Sequence, residues 1–325
     1  MPRPTHSQAH VDRVLSSMSV AHMQEQKLYA ASQFLSQVPV SRQSDSYFKF
    51  DKGDFFRDEA QLRAPGAPAA EVGFGLTTGT YNCVRYAAKY KLPWEIRDNA
   101  EDPQGLERAA VEKLTQTLLI KRERLFASAM LGTSLWSSDQ TGVASNPSTD
   151  QFTCWDVTGS TPRKNLRDQA YTVQKNIGRR PNRLLLGQQT YEALAIHPDF
   201  VDLIATDKTR LVSPELLAQA LDIEQVIVAG ASYNTAAQGA TASMSFIAGD
   251  VALLAYVAPN PSVMTPSAAY EFSWTKYDGI SARGAAIKRW SNDDLEADEM
   301  VGEIYVAMHR TAADCGVYFT NTCNT

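Results

Sequence analysis

The longest uninterrupted helix pattern in this chain runs over residues 104–131. Apolar side chains recur there every three or four residues, and charged side chains lie off their face. The apolar positions are Val111, Leu114, Leu118, Leu125 and Ala129, and the charged ones are Glu112, Lys113, Lys121, Arg122 and Glu123. At 1.5 Å per residue such a helix is about 40 Å long, longer than a typical domain is wide. Because Lys121 interrupts the stripe, a single helical strut ending at Gly132 is favoured over a coiled coil.

Composition places the chain among ordinary globular proteins. Its 325 residues are 44% hydrophobic and 21% charged, which suffices for a sizeable core. A net charge of −5 argues against a general nucleic-acid coat or a membrane-surface binder. The first residues lack an apolar signal core, and no apolar run is long enough to span a membrane, so we expect a cytosolic protein.

The N-terminal part predicts two extensions that cannot form a core alone. Residues 1–45 carry only a thin apolar stripe, so we expect an arm that packs along another element, with a partly disordered tail as the alternative. Residues 46–86 contain an aromatic, alternating segment, SYFKF, and a return segment, EVGFGLTTGTYNC, with Val72, Phe74 and Leu76 on one side. The long stretch between them is rich in charge, Gly and Pro. This pattern predicts a hairpin with an extended, irregular tip.

The rest of the chain predicts a mixed α+β domain. A helix is expected between Pro162 and Gly178, a strand and helix within 179–200, and a short helix after Ser213. Four apolar segments then predict strands: EQVIVAGA, SFIAGDVALLAYVA, YEFSWTKYDG and EMVGEIYVAMHR. This order does not repeat a βαβ unit.

The strand–glycine–helix turn at Gly187 is the best candidate for a phosphate site, but the motif is incomplete. A dinucleotide loop needs three glycines and a nucleoside-triphosphate loop needs a lysine, and Gly187 stands alone before Gln188 and Gln189. We therefore predict a structural turn. His197 precedes a proline at a helix end, where we expect it to cap the C-terminal carbonyls as a cation.

Other catalytic patterns are also incomplete in this sequence. No HExxH, zinc or GxSxG motif occurs. The four cysteines lack CxxC spacing and are expected to be free thiols: Cys83, Cys154, Cys315 and Cys323. An acidic cluster is interpreted as a solvated turn or a subunit contact: Asp293, Asp294, Glu296, Asp298 and Glu299. We predict no enzyme activity and no catalytic, cofactor-binding or metal residues.

The order of arm, long-tipped hairpin, long helix and mixed domain resembles the major capsid proteins of tailed phages with the Hong Kong 97-type fold. Four segments carry the resemblance: VPVSRQSDSYFKFDKGDFFRDEAQLRAPGAPAAEVGF, YNCVRYAAKYKLPWEIRDNAEDP, RPNRLLLGQQTYEALAIHPDF and LAQALDIEQVIVAGASYN. They resemble, in turn, the entry to the family's extended loop, the segment leading to its spine helix, and two parts of its axial domain. Each motif is loose, and their order is what is specific.

The resemblance implies a division of the chain. The N-terminal arm would be residues 1–45 and the extended loop 46–86. The peripheral domain would be 87–159 and 301–325, with the spine helix at 104–131. The axial domain would be 160–300, and residues 51–70 would be the loop tip lying on a neighbouring subunit.

The resemblance also implies a function and partners. The chain would be a structural protein that self-assembles as pentamers and hexamers into an icosahedral shell around double-stranded DNA, without sequence-specific binding. It would occur in the virion and, during assembly, in the host cytoplasm, with a portal and with separate scaffolding or decoration proteins as further partners. No cofactor or membrane contact is expected.

Two features of the sequence bear on properties that differ among members of the family it resembles. Only about 40 residues precede the loop, so a large removed pro-segment is not expected and a separate scaffolding protein is plausible. Some relatives cross-link a loop lysine to an asparagine, but no motif joins Lys52 to Asn321 or Asn324, and Lys52 is interpreted as a solvated charge. The alternatives are an encapsulin-type compartment shell of the same fold and a cytosolic α+β enzyme.

Overall fold

The computed structural model describes residues 24–50, 52–63, 65–66, 68–202, 212–261, 265–276 and 285–324. The helices in these ranges are α1 (Ala31–Phe34), α2 (Lys52–Phe55), α3 (Trp94–Asp98), α4 (Pro103–Met130), α5 (Pro162–Ile177), α6 (Gln188–Ala195), α7 (Pro198–Val201) and α8 (Pro214–Leu221). The strands are β1 (Ser36–Val40), β2 (Ser44–Phe50), β3 (Leu76–Asn82), β4 (Val84–Pro93), β5 (Ser138–Val143), β6 (Gln151–Thr153), β7 (Arg183–Gly187), β8 (Gln225–Ala229), β9 (Ser232–Asn234), β10 (Met244–Phe246), β11 (Ala252–Ala255), β12 (Ala269–Trp274), β13 (Ala285–Asn292), β14 (Ala297–Arg310) and β15 (Gly316–Thr320).

Helix α4 confirms the predicted strut, with each bound one residue earlier than expected. Asp102 caps its start, because the carboxylate accepts a hydrogen bond of 2.9 Å from the backbone N–H of Gly105. Leu114 packs with Met300, and Leu118 packs with Ile304, both of β14. The helix therefore lies along the longest strand of the described chain.

The buried face of α4 differs from the predicted stripe. Val111, Leu125 and Ala129 lie at its margins and are only partly buried. The fully buried positions are Ala110, Leu114, Leu118, Glu123, Phe126 and Met130. The buried face of α4 is wider than packing against β14 alone would need, because the C-terminal half of the helix also packs against the N-terminal segment.

A five-stranded sheet lies under α4. Four of its strands lie in the order β1-β12-β14-β13, and the fifth strand, β4, also pairs with β14. Strand β1 runs parallel to β12, and the other pairs are antiparallel. Of the fourteen residues of β14, the first eleven are buried, so this strand is the centre of the sheet.

A six-stranded sheet carries most of the hydrophobic core. Its order is β6-β5-β15-β11-β7-β8, with parallel and antiparallel pairs mixed. The central strands β7 and β11 are almost wholly apolar and have no exposed residue, as expected for strands covered on both faces. Helix α5 packs its apolar residues on this sheet: Leu166, Ala170, Val173 and Ile177.

Both sheets contain strands that the sequence did not indicate. Strands β4 and β13 flank β14, and β5, β6 and β15 complete the six-stranded sheet. The segment SFIAGDVALLAYVA is not one strand, as we had expected, but two, β10 and β11, separated at Gly249 and Asp250.

Sheet membership crosses the expected domain bounds. Strands β5, β6 and β15 were assigned to the peripheral part but pair with the strands that follow α5. Conversely, β12 and β13 were assigned to the axial part but lie in the sheet under α4. The division of the chain into these two domains stays a prediction, and strand pairing favours different bounds.

Candidate assembly interface

The predicted hairpin is present, and aromatic side chains brace its base. Strands β2 and β3 pair in register from Ser44 with Asn82 to Phe50 with Leu76. Tyr81 stacks on Phe272 of β12 with ring centroids 4.5 Å apart, and the centroid of Tyr47 lies 5.8 Å from that of Phe272. The hairpin therefore leaves the five-stranded sheet from a rigid attachment.

The tip of the hairpin presents apolar side chains to solvent. Phe56 is 64% exposed and Leu62 is fully exposed. Others with at least about half of their surface exposed are Phe55, Val72, Phe74 and Leu76. Val72 and Phe74 precede β3, so the predicted return strand starts later than expected. Apolar side chains clustered at the end of an extension indicate a surface that another protein covers.

Local contacts give the tip a defined shape. Helix α2 forms the first turn of the tip, and the Asp54 carboxylate accepts a hydrogen bond of 2.7 Å from the backbone N–H of Gly75. The rings of Phe55 and Phe74 lie 5.8 Å apart and join the two sides. These contacts join the two sides of the tip and leave its outer surface apolar, while residues 57–63 and 68–75 form no helix or strand, as expected for an irregular tip.

Lys52 connects the tip to the body of the same subunit. Its ammonium group forms an ion pair with Asp314, whose other carboxylate oxygen accepts a hydrogen bond from Ser137. Lys52 is half exposed but paired, so its interpretation as a simply solvated charge is wrong. A covalent bond to Asn321 or Asn324 stays untested, and the backbone N–H of Asn324 is bonded to Asp156.

The N-terminal segment is held by a buried carboxylate that the sequence did not reveal. Glu123 of α4 is 2% exposed, and its two oxygens accept hydrogen bonds of 3.0 Å each from the backbone N–H groups of Ala30 and Ala31. Burial raises the pKa of Glu123, although these two hydrogen bonds oppose the shift. The prediction that Glu123 lies off the buried face of α4 is therefore wrong.

The same segment supplies apolar contacts and a strand. Phe34 lies edge-on to Phe126 of α4, with ring centroids 5.7 Å apart, and β1 joins the five-stranded sheet. The expectation that the arm packs along another element is therefore confirmed for residues 24–40. Residues 1–23, which include Val11, Val14 and Met18 of the expected stripe, lie outside the described residues.

The acidic cluster divides into two parts. Asp293, Asp294 and Glu296 are exposed in the β13–β14 turn, as predicted. Asp298 and Glu299 are each 2% exposed within β14, so their interpretation as part of a solvated turn is wrong.

Cations on the neighbouring elements compensate the two buried carboxylates. Asp298 accepts a hydrogen bond of 2.6 Å from Arg97 and one of 3.1 Å from Arg289, and Glu299 accepts one of 2.8 Å from Lys89. Burial would raise the pKa of Asp298, but the hydrogen bonds outweigh it and the pKa is lowered. The hydrogen bond from Lys89 is the main cause of the lowered pKa of Glu299. These ion pairs join β14 to β4, β13 and helix α3.

The structure gives Gly187 a structural role for a different physical reason from the turn geometry that the sequence suggests. Its φ angle of −66° is open to any residue. A Cβ atom at this position would lie 2.1 Å from the carbonyl oxygen of Gly249 and 3.0 Å from that of Ala248. Gly187 therefore allows two segments of backbone to approach closely.

His197 caps a helix start rather than a helix end. Its Nδ1 accepts a hydrogen bond of 3.1 Å from the backbone N–H of Asp199 in α7, and Nε2 lies 3.0 Å from the Ser160 hydroxyl. Burial lowers the pKa of His197, so the ring is neutral at neutral pH. The expected role as a cation on C-terminal carbonyls is wrong.

The four cysteines are free thiols, as predicted, and all are buried. Burial raises the pKa of Cys83 to about 11 and that of Cys315 to about 12. Across the described ranges, no group of three or more His, Cys, Asp or Glu side chains is arranged to hold a metal ion. No helix of the described chain is long and apolar enough to cross a membrane.

Two curated proteins are similar to this chain in sequence. The major capsid protein of Burkholderia phage BcepMu is 24% identical over 225 residues, which cover 69% of this chain and 70% of that protein. The major capsid protein of Pseudomonas phage JBD67 is 25% identical over 236 residues, which cover 72% and 73%. No family model matches the chain.

Solved structures share the fold over almost the whole chain. A phage-related protein from Bordetella bronchiseptica superposes with a TM-score of 0.69 at 18% identity, covering 92% of this chain and 94% of its own. The capsid of cyanophage P-SCSP1u gives a TM-score of 0.55 at 10% identity, with coverage of 92% and 99%. An encapsulin from Synechococcus elongatus gives 0.52 at 11% identity, with coverage of 96% and 95%.

The fold is thus the α+β fold of Hong Kong 97-type shell proteins, as the sequence predicted. Within that class, the chain is a homologue of phage major capsid proteins and a structural component of a capsid shell. The names of its relatives describe a structural role rather than an enzymatic one.

Proposed function

We propose that this chain is the major head protein of a tailed phage. In this proposal it assembles as pentamers and hexamers into an icosahedral shell that encloses double-stranded DNA. The observation that supports it most is the braced hairpin with exposed apolar side chains at its tip. Such a surface on an extension is costly in water unless a neighbouring subunit covers it.

The other extensions fit the same proposal. Residues 24–40 are held on α4 of their own subunit by Glu123 and Phe126. The five-stranded sheet with α4 would form the peripheral domain, and the six-stranded sheet with α5 would form the axial domain around the symmetry axes.

The proposal extends to partners and location. The shell would hold a portal at one vertex and could use separate scaffolding and decoration proteins during assembly in the host cytoplasm. The mature protein would be part of the virion and would hold its DNA without reading its sequence. The subunit would have no catalytic function.

An encapsulin-type shell is the second candidate, because the Synechococcus elongatus encapsulin shares the fold. The curated sequence relatives favour the phage capsid. The contents of purified particles separate the two: a phage head contains nuclease-protected DNA, whereas an encapsulin contains a cargo protein.

Deletion of residues 54–67 tests the role of the tip. The deletion removes Phe55, Phe56 and Leu62, which contribute exposed rather than buried apolar surface, so the subunit should keep its melting temperature within a few degrees. Particle yield, measured by light scattering and electron microscopy, should fall to background.

The two readouts are interpreted together. Normal particles from the deleted chain would refute the assembly role of the tip. A large loss of subunit stability would show that the tip belongs to the core. A control variant, Ile196→Ser, changes another strongly exposed apolar side chain away from the hairpin and should assemble normally.

A further inference from the structure

Helix α5 carries four cations that form no ion pair with any described residue: Arg163, Lys164, Arg167 and Lys175. We call these four side chains the basic face. Lys164, Arg167 and Lys175 are exposed, and Arg163 is partly buried with its Nε atom unbonded. The only acidic residue within α5 is Asp168, and Asp199 of α7 also lines the surface beside Arg163, Lys164 and Arg167.

Many cations elsewhere in the described chain bind a carboxylate, as Arg122 does with Glu271 and Arg289 does with Glu107. Helix α4 also carries cations without an ion pair among the described residues, such as Arg108 and Lys113. In a protein with a net charge of −5, the basic face is thus a cluster of positive charge that no described carboxylate pairs. The four cations of the basic face on α5 take no part in the ion pairs that hold the five-stranded sheet together.

Lys175 lies in the last turn of α5, where a cation is favourable, but the cations at the start of the basic face do not stabilise their own helix. The first turn of α5 has no acidic residue, and the Thr161 side chain makes no capping hydrogen bond. Positive charges such as Arg163 and Lys164 are unfavourable near a helix N-terminus because of the helix dipole. Their presence indicates a role outside the subunit.

The opposite side of α5 fixes the basic face in place. Leu166, Ala170, Val173 and Ile177 are buried against the six-stranded sheet and its neighbouring helices. From Lys164 to Lys175 the cations span about 16 Å along the helix axis. The result is a fixed group of three cations near the start of α5 and a fourth, Lys175, near its end.

We propose that the basic face binds the phosphate backbone of duplex DNA, and that α5 therefore faces the inside of the shell. This inference rests on the proposed function and adds to it the face of the subunit that meets the genome. Duplex DNA carries about one negative charge per 1.7 Å of its axis, so one duplex can contact the whole basic face.

A neighbouring subunit fits the basic face less well. The exposed acidic turn of Asp293, Asp294 and Glu296 is compact and cannot meet charges spread over the length of α5. Protein interfaces are also depleted in lysine, and the basic face contains two. DNA contact by a few cations on an otherwise acidic chain is weak, which agrees with a genome that must move during packaging.

A matched pair of double variants tests the contact on the unassembled full-length chain. Lys164→Gln with Arg167→Gln removes two charges of the basic face. Arg108→Gln with Lys113→Gln removes one arginine and one lysine from α4, both exposed and without an ion pair among the described residues. Binding of a short mixed-sequence DNA duplex is measured by fluorescence anisotropy between about 50 and 200 mM salt.

The expected result is a difference in salt dependence. The α5 variant should lower the magnitude of the slope of log K against log salt by about 1.8, that is 0.9 per lost phosphate contact, and the α4 variant should leave it unchanged. Equal slopes for the two variants, or no salt-dependent binding by the unchanged chain, would overturn the proposal.

Labelling of assembled particles tests the orientation separately. Tyr171 lies on the exposed side of α5 and is 70% exposed, and the four native thiols are buried. In particles of Tyr171→Cys, a small maleimide should react, whereas a bulky polyethylene-glycol maleimide should not. Both reagents should react with the unassembled variant.

Each other labelling result has a definite meaning. Reaction with both reagents in particles would place α5 on the outer surface, and reaction with neither would place it in a subunit contact; either result overturns the inference. If no particles form from the unchanged chain with or without a scaffolding partner, the proposed function fails, while the salt dependence still decides whether the basic face binds DNA.

Discussion

Replacing Leu118 by aspartate is expected to unfold the subunit, because Leu118 sits where α4 meets the five-stranded sheet. The side chain is 8% exposed and packs with Ile304 and Val306 of β14. Its Cδ1 atom lies 2.9 Å from the position that a Cβ atom of residue 302 would occupy, so the helix approaches the strand closely at Gly302. The contact leaves no room for a hydrated carboxylate.

The magnitude follows from two contributions. Loss of the buried leucine side chain costs about 2–5 kcal/mol, as in other large-to-small core substitutions. An unpaired buried carboxylate adds a further cost of about 1–3 kcal/mol or more. Arg122, one turn away, is already held by Glu271, whose two carboxylate oxygens accept hydrogen bonds from its Nε and Nη2 atoms. The sum is comparable to the typical stability of a whole domain, about 5–15 kcal/mol.

Denaturant unfolding of the unassembled subunit measures this effect. Lys113→Ala is the control, because Lys113 is exposed on the same helix and its removal should change stability by no more than about 0.5 kcal/mol. We expect Leu118→Asp to abolish the folded subunit and Leu118→Ala to give an intermediate loss. Equal unfolding midpoints for Leu118→Asp and Lys113→Ala would refute the packing of α4 on β14.

Two further predictions concern the buried polar groups. Glu123→Gln should lower the free energy of unfolding by about 1–3 kcal/mol, because the NH₂ group of the new side chain cannot accept the hydrogen bond that the second carboxylate oxygen accepts from Ala30 or Ala31. Backbone amide hydrogen exchange should then increase in residues 24–35. Unchanged exchange there would contradict the anchoring role of Glu123. Burial lowers the pKa of His197 and of His309, so each contributes stability that is present above about pH 6.5 and is lost as pH falls through the lowered pKa. His197→Asn keeps an acceptor for the helix cap but removes the titrating ring. Between pH 7.5 and pH 5.5, both about one unit from the ordinary histidine pKa, the melting temperature of this variant should fall less than that of the unchanged chain. An equal fall would show that His197 does not titrate as proposed.

The sequence by itself determined the elements whose signals are local. The period of α4, the proline and glycine that bound α5 at Pro162 and Gly178, and the alternating strand of the hairpin depend on neighbouring residues. Their order along the chain then indicated the shell-protein fold, and the sequence relatives agree with it. These features were predictable because hydrophobic periodicity and turn chemistry are properties of short segments.

The tertiary structure alone decided which polar residues are buried and how the strands are distributed between the sheets. Strand β4 alternates between Val84, Tyr86, Ala88, Tyr90 and Leu92 and mostly charged residues, a local signal that we did not read as a strand, and its pairing with β14 is what the tertiary structure adds. Glu123, Asp298 and Glu299 look like surface charges in the sequence, yet each is buried. A buried carboxylate is stable only where donors from distant parts of the chain meet it, such as Ala30, Arg97 and Lys89, and no local pattern records that meeting.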